Sequence, residues 1–263
     1  MELSIIIVNF NTKDYLKKCL DSIDQNVKGI NFEIIVVDNA SDDDSASFIK
    51  ENFPNVVLVE NDRNLGFAKG VNQGLREARG EYVFLINPDT QVGKDTLKKL
   101  IDFAKKEKNL GAVGPKLINS DGSVQPSCYH EQTALGAIKE FWFGQQGTFE
   151  KYIPKSDKPV KVDAVVGAAM LIPRKTFDKV GFFDERYFLY YEDLDWCRRT
   201  QNLGFNIFWL PDASLVHGLG VSSKALGSKA NKLLIQSSKE YNGFLKYWLL
   251  TTIIKIGQIL FGK

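Results

Sequence analysis

The chain opens with apolar residues at every position from Leu3 to Val8 except Ser4. A run without alternation reads as a strand buried on both faces. The period then changes: Tyr15, Leu16, Cys19, Leu20 and Ile23 recur at helical spacing. "FEIIVVDNAS" predicts a second buried strand ending in Asp38 and Asn39. "SDDDSASFIKENF" opens on capping residues and predicts a helix, with Asp42 to Asp44 in its solvated first turn. "VVLVEN" is a third strand and "GFAKGVNQGLREAR" a helix entered through glycine. "EYVFLINPD" is a fourth strand ending in Asp89, and "GKDTLKKLIDFAKKE" another amphipathic helix. This alternation with short connections predicts a parallel sheet covered by helices on both faces.

After about Gly114 the rhythm changes. "GAVGPKLINSDGSVQPS" reads as strand, turn at Asp121-Gly122 and strand. "VDAVVGAAMLIPR" is a further buried strand, and "NIFWLPDASLVHG" a late strand leading to His217. The second half is thus mixed, and is expected to extend the first sheet. No linker or repeat interrupts the chain.

Composition adds little until it is read by position. The 263 residues are 44% hydrophobic and 25% charged, as a soluble protein with a real core requires. A formal net charge of +2 carries no field for nucleic acid, and none is expected as a partner. Cys19, Cys128 and Cys197 are odd in number and form no CxxC pair, which fits a reducing compartment. "MELSIIIVNF" has no basic lead and too short an apolar run for a signal peptide, so a cytoplasmic location is expected. The charge gathers at the end, where residues from Lys224 to Lys263 include seven lysines and one acid, Glu240. Their apolar run, "FLKYWLLTTIIKIGQILFGK", is broken by Lys246 and Lys255, and is too short and broken for a span of ~20 residues. Two readings stand: a helix packed on the domain, or a segment lying on an anionic membrane surface.

Candidate chemistry sits at the strand ends, where ligands of parallel sheets bind. Asn9, Asn11, Asp38, Asn39, Asn61, Asp62 and Asp89 all fall at or just past such ends, which suggests one shared polar cleft. Asp89, after Pro88, suits a hard divalent cation or else a helix cap or Asx-turn. In "ENDRNLGFAKGVNQG" the glycines Gly66, Gly70 and Gly74 are spaced by four, which is neither GxGxxG nor a P-loop. They allow a helix to approach the sheet or a nucleotide closely. Arg63 and Lys69 either face phosphates or are surface charges. His217 is one of two histidines and a sensible metal partner for Asp89 if that residue binds one. "YFLYYEDLDWCRR" places Glu192, Asp193 and Asp195 straight after an aromatic run. Asp193 or Asp195 could cap the following helix, with Asp195 the candidate for that cap or for an arginine partner, but a carboxylate in a partly apolar setting also makes a better base.

Together these pieces resemble the inverting nucleotide-sugar glycosyltransferases of family 2, with the α/β GT-A fold, and most of all the rhamnosyltransferase-like branch that builds bacterial surface polysaccharide. The resemblance runs from about Leu3 to Ser223 and rests on "SIIIVNFNTKDYLKKCLDSI", "VVDNASDDDS", "NLGFAKGVNQG", "NPDT", "GAAMLIPR", "GFFDERYFLYYEDLDWCRR" and "HGLGVS" in that order. It implies a GT-A domain over 1–223, with a nucleotide-sugar half at 1–114 and an acceptor and catalytic half at 115–223, followed by a helical tail at 224–263. By the same resemblance, Asp38 contacts the nucleobase. Asn9, Asn11, Asn39, Arg63, Asn64, Gly66 and Asn87 join it in the donor site. Asn87-Pro88-Asp89 stands where the family has its acidic metal motif, with Asn replacing the first acid, so Asp89 supplies the carboxylate. His217 stands at a metal-ligand position, and the implied cofactor is Mg²⁺ or Mn²⁺. Asp193 stands at the general-base position. Gly167, Ala168, Tyr191 and Glu192 fall on the acceptor side. A dTDP- or UDP-sugar donor and a saccharide or lipid-linked acceptor follow. The QxxRW motif of processive synthases is missing, which implies single additions. Two rivals share the fold: a sugar-nucleotide nucleotidyltransferase, which wants a glycine- and arginine-rich loop after the first strand that "VNFNTKDY" lacks, and a non-catalytic sugar-binding scaffold.

Overall fold

The computed structural model describes residues 1–218 and 227–262. The chain begins β1 (Leu3–Asn9), α1 (Lys13–Asn26), β2 (Phe32–Asp38), α2 (Ser45–Asn52), β3 (Val57–Glu60), α3 (Phe67–Glu77) and β4 (Tyr82–Ile86). It continues through β5 (Thr90–Val92), α4 (Thr96–Lys106), β6 (Leu110–Ile118), β7 (Cys128–Tyr129), α5 (Ala134–Phe141), β8 (Val160–Val162) and β9 (Ala164–Val165). Then come β10 (Ala169–Pro173), α6 (Arg174–Val180), α7 (Glu192–Asn202), β11 (Asn206–His217) and the last described helix, α8 (Lys229–Phe261).

Strand order in the main sheet is β3-β2-β1-β4-β10-β6-β11-β5, with β8 added on β11. Strands β1 to β4 pair in parallel, as the alternation predicts. Strand β10 is inserted antiparallel between β4 and β6. The sheet separates two cores, and alternation along β1 feeds both. Ile5 and Ile7 pack with Leu16 and Leu20 of α1 and Leu100 of α4. Ile6 packs on the opposite face with Val71 and Leu75 of α3 and Trp196 of α7. Helix α3 lies against β1 because Gly70 and Gly74 leave no side chain there; a Cβ on Gly74 would stand 2.5 Å from Ile6.

Several local expectations are corrected. Helices α2 and α7 are not capped by their own N-cap side chains. Asp43 takes that work for two helices: it accepts from the Lys13 amide that opens α1 (2.8 Å) and from the Ser45 amide that opens α2 (3.1 Å). It is therefore a loop tie rather than a solvated first-turn charge. Neither Asp193 nor Asp195 caps α7; both lie inside its first turn. Asp195 is the arginine partner of its two readings, accepting from Arg198 (3.1 Å) and Arg199 (2.8 Å). Asp89 caps no helix, since β5 follows it. The strand expected across "VDAVVGAAMLIPR" is broken into β9 and β10, and the break carries Gly167 and Ala168. After β6 the chain turns at Gly122 (φ 86°), but the return strand is a single bridge, Ile118 to Val124.

Helix α8 bends at Gly243, whose φ and ψ of 70° and 167° are not helical. Before the bend it docks on the main domain. Ser237 donates to the Leu189 carbonyl (2.8 Å), Arg186 pairs with Glu240, and the Arg198 guanidinium lies 4.1 Å from the Tyr241 ring centre. After the bend it packs on α5 through Leu250 and Ile253, and Trp142 Nε1 donates to the Ile253 carbonyl (2.9 Å). By length and composition alone α8 is sufficient to cross a membrane, which the lysine-broken run did not lead us to expect.

Candidate active site

Parallel registration brings the strand ends to one edge. Asn9 stands opposite Asp38 across β1 and β2. Antiparallel β10 begins at Ala169 opposite Ile86, so Gly167 and Ala168 arrive at the same edge as Asn87. At the far end of the sheet His217 registers with Thr90, and the Gly218 amide donates to the Asp89 carbonyl (2.7 Å). Residues distant in sequence thus converge on one cavity of about 250 Å³, lined among others by Asn87, Asp89, Gly167, Glu192, Asp193 and His217.

At one wall the His217 Nε2 lies 3.5 Å from Asp89 Oδ1. The tautomer follows from a residue the sequence did not single out. Gln125, buried, donates its amide to Asn119 Oδ1 (2.6 Å) and to the His217 carbonyl (2.7 Å). Its Oε1 therefore faces His217 Nδ1 at 2.8 Å as an acceptor, so Nδ1 carries the hydrogen and Nε2 keeps its lone pair. Burial, with Lys151 adding to it, lowers the imidazole pKa to about 4, so the pair is a neutral ring nitrogen beside a carboxylate rather than an ion pair. A nitrogen and an oxygen donor held this way fit a divalent cation that takes its other ligands from water and phosphate. No set of three or more His, Cys, Asp or Glu suited to a metal occurs among the described residues.

On the other wall two neighbouring carboxyls are buried, Glu192 5% and Asp193 9% exposed. Asp193 Oδ2 accepts from the Gly167 amide (2.8 Å) and Oδ1 from the Leu194 amide (2.8 Å). Burial raises its pKa, and these amides and Lys151 oppose the rise. Glu192 has Oε2 buried with no hydrogen-bond partner among the described residues. Burial, then the charge of Asp193, hold its pKa well above the usual range. Of the two, Glu192 is the one biased toward holding a proton, and Asp193, with two amides on its oxygens, the one biased toward carrying the charge. The backbone before them is in the left-handed region at Tyr190 (φ 70°) and Tyr191 (φ 68°), which turns the chain into α7 and sets both carboxyls into the cavity. Tyr191 accepts from Gln132 (3.3 Å) and faces a neighbouring groove rather than this cavity.

The residues of the expected donor site divide. Asn39, Asn64, Gly66 and Asn87 line a small adjoining cavity, with Phe67, Asn87 and Leu189 common to both. Asn9 and Asp38 are buried and bonded to one another (2.8 Å), and Asp38 also accepts from the Ser41 hydroxyl (2.6 Å) and amide (2.9 Å). Asn11, at φ 53°, bridges this loop by accepting from the Asp42 amide (2.9 Å). Arg63 is exposed and lines neither cavity. Of the "HGLGVS" motif, the residues after Gly218 lie outside the described residues. Lys151 lines this cavity and, like Gln125, belongs to no motif; only the folded chain brings it there.

The family model for Glycosyl transferase family 2 matches residues 4–181, which takes in Asp89 and Gly167 but stops before Asp193 and His217. The N-acetylglucosaminyl-diphospho-decaprenol L-rhamnosyltransferase of Mycobacterium tuberculosis is 29% identical over 234 residues, 82% of this chain and 75% of that protein. Rhamnosyltransferase WbbL of Escherichia coli K12 is 26% identical over 247 residues, 90% of this chain and 91% of that protein. The mannosyltransferase PcManGT of Pyrobaculum calidifontis, solved with GDP-Man and Mn²⁺, superposes with a TM-score of 0.62 at 18% identity, covering 100% of this chain and 76% of that one. With its mainly parallel sheet, its helices on both faces and this match, the chain belongs to glycosyl transferase family 2 and is a glycosyltransferase of the GT-A fold.

Proposed function

We propose that this chain transfers a sugar, with rhamnose the favoured candidate, from a dTDP- or UDP-linked donor to a hydroxyl of a saccharide or lipid-linked acceptor in surface polysaccharide synthesis, with inversion. The observation that carries this reading is the shared cavity, with a buried, amide-bonded Asp193 carboxyl on one wall and the Asp89–His217 pair on the other. Asp193 takes the proton of the attacking hydroxyl, and its two amide bonds favour its charged form and aim it. Glu192, protonated, donates a hydrogen bond to an acceptor oxygen. Asp89 and His217 would hold Mg²⁺ or Mn²⁺, which would supply positive charge to the departing nucleoside diphosphate. Asn39, Asn64 and Gly66 receive the nucleotide beside β2, where Asp38 and Asn9 keep the loop in shape. Gly167 and Ala168 floor the sugar site. The names of the similar rhamnosyltransferases and the Mn²⁺ of the mannosyltransferase support these choices. Helix α8 rests its exposed face on a membrane surface.

The test is nucleoside diphosphate release from dTDP-rhamnose and a panel of UDP-sugars, with Mg²⁺, Mn²⁺ or EDTA. The expected result is metal-dependent release from one donor, weakened in Asp89→Ala. Full turnover in EDTA overturns the metal assignment, and release of pyrophosphate instead of nucleoside diphosphate overturns the reaction class.

A further inference from the structure

The turn that delivers Glu192 and Asp193 is held in an unfavourable backbone state. Tyr190 and Tyr191 stand consecutively at φ 70° and 68°. The left-handed region is disfavoured for any residue with a Cβ, and more so for a bulky one. Two such residues in a row persist only where the surroundings fix them. The fixing contacts come from two sides. On one, the Phe67 amide at the start of α3 holds the Phe188 carbonyl (2.7 Å). On the other, they come from α8 before its bend at Gly243. Ser237, 4% exposed, donates its hydroxyl to the Leu189 carbonyl (2.8 Å). Tyr241 follows four residues on and so shares that helix face. It is also buried, and its ring packs on that of Tyr191 with centres 5.2 Å apart. Asn242 donates to Gln132 Oε1 (3.1 Å), and Gln132 donates in turn to the Tyr191 hydroxyl (3.3 Å). The residues on both flanks of Tyr190 are thus tied to α8. Asp193 stands two positions after Tyr191, with Oδ2 on the Gly167 amide (2.8 Å). A turn that relaxed would swing the start of α7 and draw this carboxyl off that amide. Beyond the bend α8 packs on α5 through Leu250 and Ile253, so its two halves have separate tasks.

We propose that Ser237 and Tyr241 are positioning residues for Asp193: the first half of α8 holds the left-handed turn at Tyr190 and Tyr191, and the turn keeps the Asp193 carboxyl on the Gly167 amide and in the cavity. The inference rests on the reading of Asp193 as the base. It brings into the active site a helix that lies outside the residues 4–181 matched by the family model.

The test reads the full chain in two ways. Amide hydrogen exchange at Gly167 reports the seat of the carboxyl without any substrate. Release of dTDP from dTDP-rhamnose with Mn²⁺, beside calorimetric titration with dTDP, reports turnover and donor-side binding. Ser237→Ala removes the hydroxyl and Tyr241→Leu the ring. In each, exchange at Gly167 should quicken about tenfold or more, while the Ile6 amide of central β1 changes less than about twofold. The kcat should fall about tenfold or more with dTDP affinity held within about twofold, since the base is displaced and the donor site is not. Leu250→Ala, which loosens only the second half of α8, should leave both readouts near their original values. Thermal unfolding shows which variants fold, and either of the first two suffices. Unchanged exchange at Gly167 in a folded variant overturns the positioning. Equal quickening in Leu250→Ala overturns it too, as the mark of general loosening. Quickened exchange with undiminished kcat sinks Asp193 as the base and leaves the positioning standing. No release by the unaltered chain sinks the proposed donor reading alone, since the exchange still decides the positioning.

Discussion

Glu192 and Asp193 are neighbours in one buried setting, yet their surroundings separate them. Asp193 has two backbone amides on its oxygens, and Glu192 has a buried oxygen with no partner among the described residues. If Asp193 is the base, Asp193→Asn keeps its shape but cannot take a proton. Turnover should then fall by roughly two to four orders of magnitude, with donor affinity little changed, in steady-state kinetics beside donor titration. Since its pKa is raised, the acid limb of the rate profile should lie above the ordinary carboxylate range. Near wild-type turnover in Asp193→Asn together with a dead Glu192→Gln would move the base to Glu192. Glu192 also makes a stability prediction. Its folded pKa is raised, so the native state holds a proton that the unfolded chain releases. Stability therefore falls as pH rises from the unfolded pKa toward the folded one, by up to about 1.4 kcal/mol per pH unit. Glu192→Gln should flatten this slope in urea unfolding between pH 5 and 7; an unchanged slope would assign the pH dependence elsewhere.

Elements meet at the site through a few ties between segments. The connection from β3 to α3 is clamped to the chain that leads into α7. The Phe67 amide donates to the Phe188 carbonyl (2.7 Å), and a Cβ on Gly66 would stand 2.5 Å from that same oxygen at φ 88°. Both the backbone angle and the space exclude a side chain, so Gly66→Ala should cost about 2 kcal/mol or more and weaken donor binding, read as a lower urea midpoint and a weaker nucleotide titration. A variant as stable as the original would show that the clamp yields. On the other side of α7, Asp195 holds Arg198 and Arg199, and through Arg198 the helix reaches Tyr241 of α8. The first-turn acids thus have separate work: Glu192 and Asp193 face the cavity, and Asp195 joins elements.

At the scale of the whole molecule, α8 turns a two-faced sheet domain into one with a third apolar surface. Its inner face is closed by α5, while Phe244, Leu245, Trp248, Leu249, Ile259 and Leu260 remain exposed. With the lysine excess of this segment, such a face suits an anionic lipid surface. Leu245→Glu with Leu249→Glu should lower sedimentation with anionic liposomes and change stability by less than about 0.5 kcal/mol, as exposed substitutions do. Binding that survives both changes would show that another surface meets the lipid.

What the sequence by itself determined is local. Apolar periods of two kinds marked the first four strands and their helices, because each period reflects which face of one element is buried. The polar strand ends marked the cleft edge, because parallel strands deliver those ends together. The tertiary structure alone decided the rest. The insertion of β10 between β4 and β6 depends on pairing between Leu171 and Val113, which no local pattern encodes. The break at Gly167 and Ala168 reads as apolar as the strands beside it, and only the Asp193 carboxylate that meets its amide distinguishes it. Of the two readings of Asp195, helix cap or arginine partner, packing selected the arginines three and four residues on, since side-chain partners are chosen by the packed surroundings. Gln125 and Lys151 carry no motif, because their roles arise from where the chain after β6 crosses the cavity. The hold of α8 on the turn before α7 belongs to this second class as well, for Leu189 and Ser237 meet only when the chain is folded.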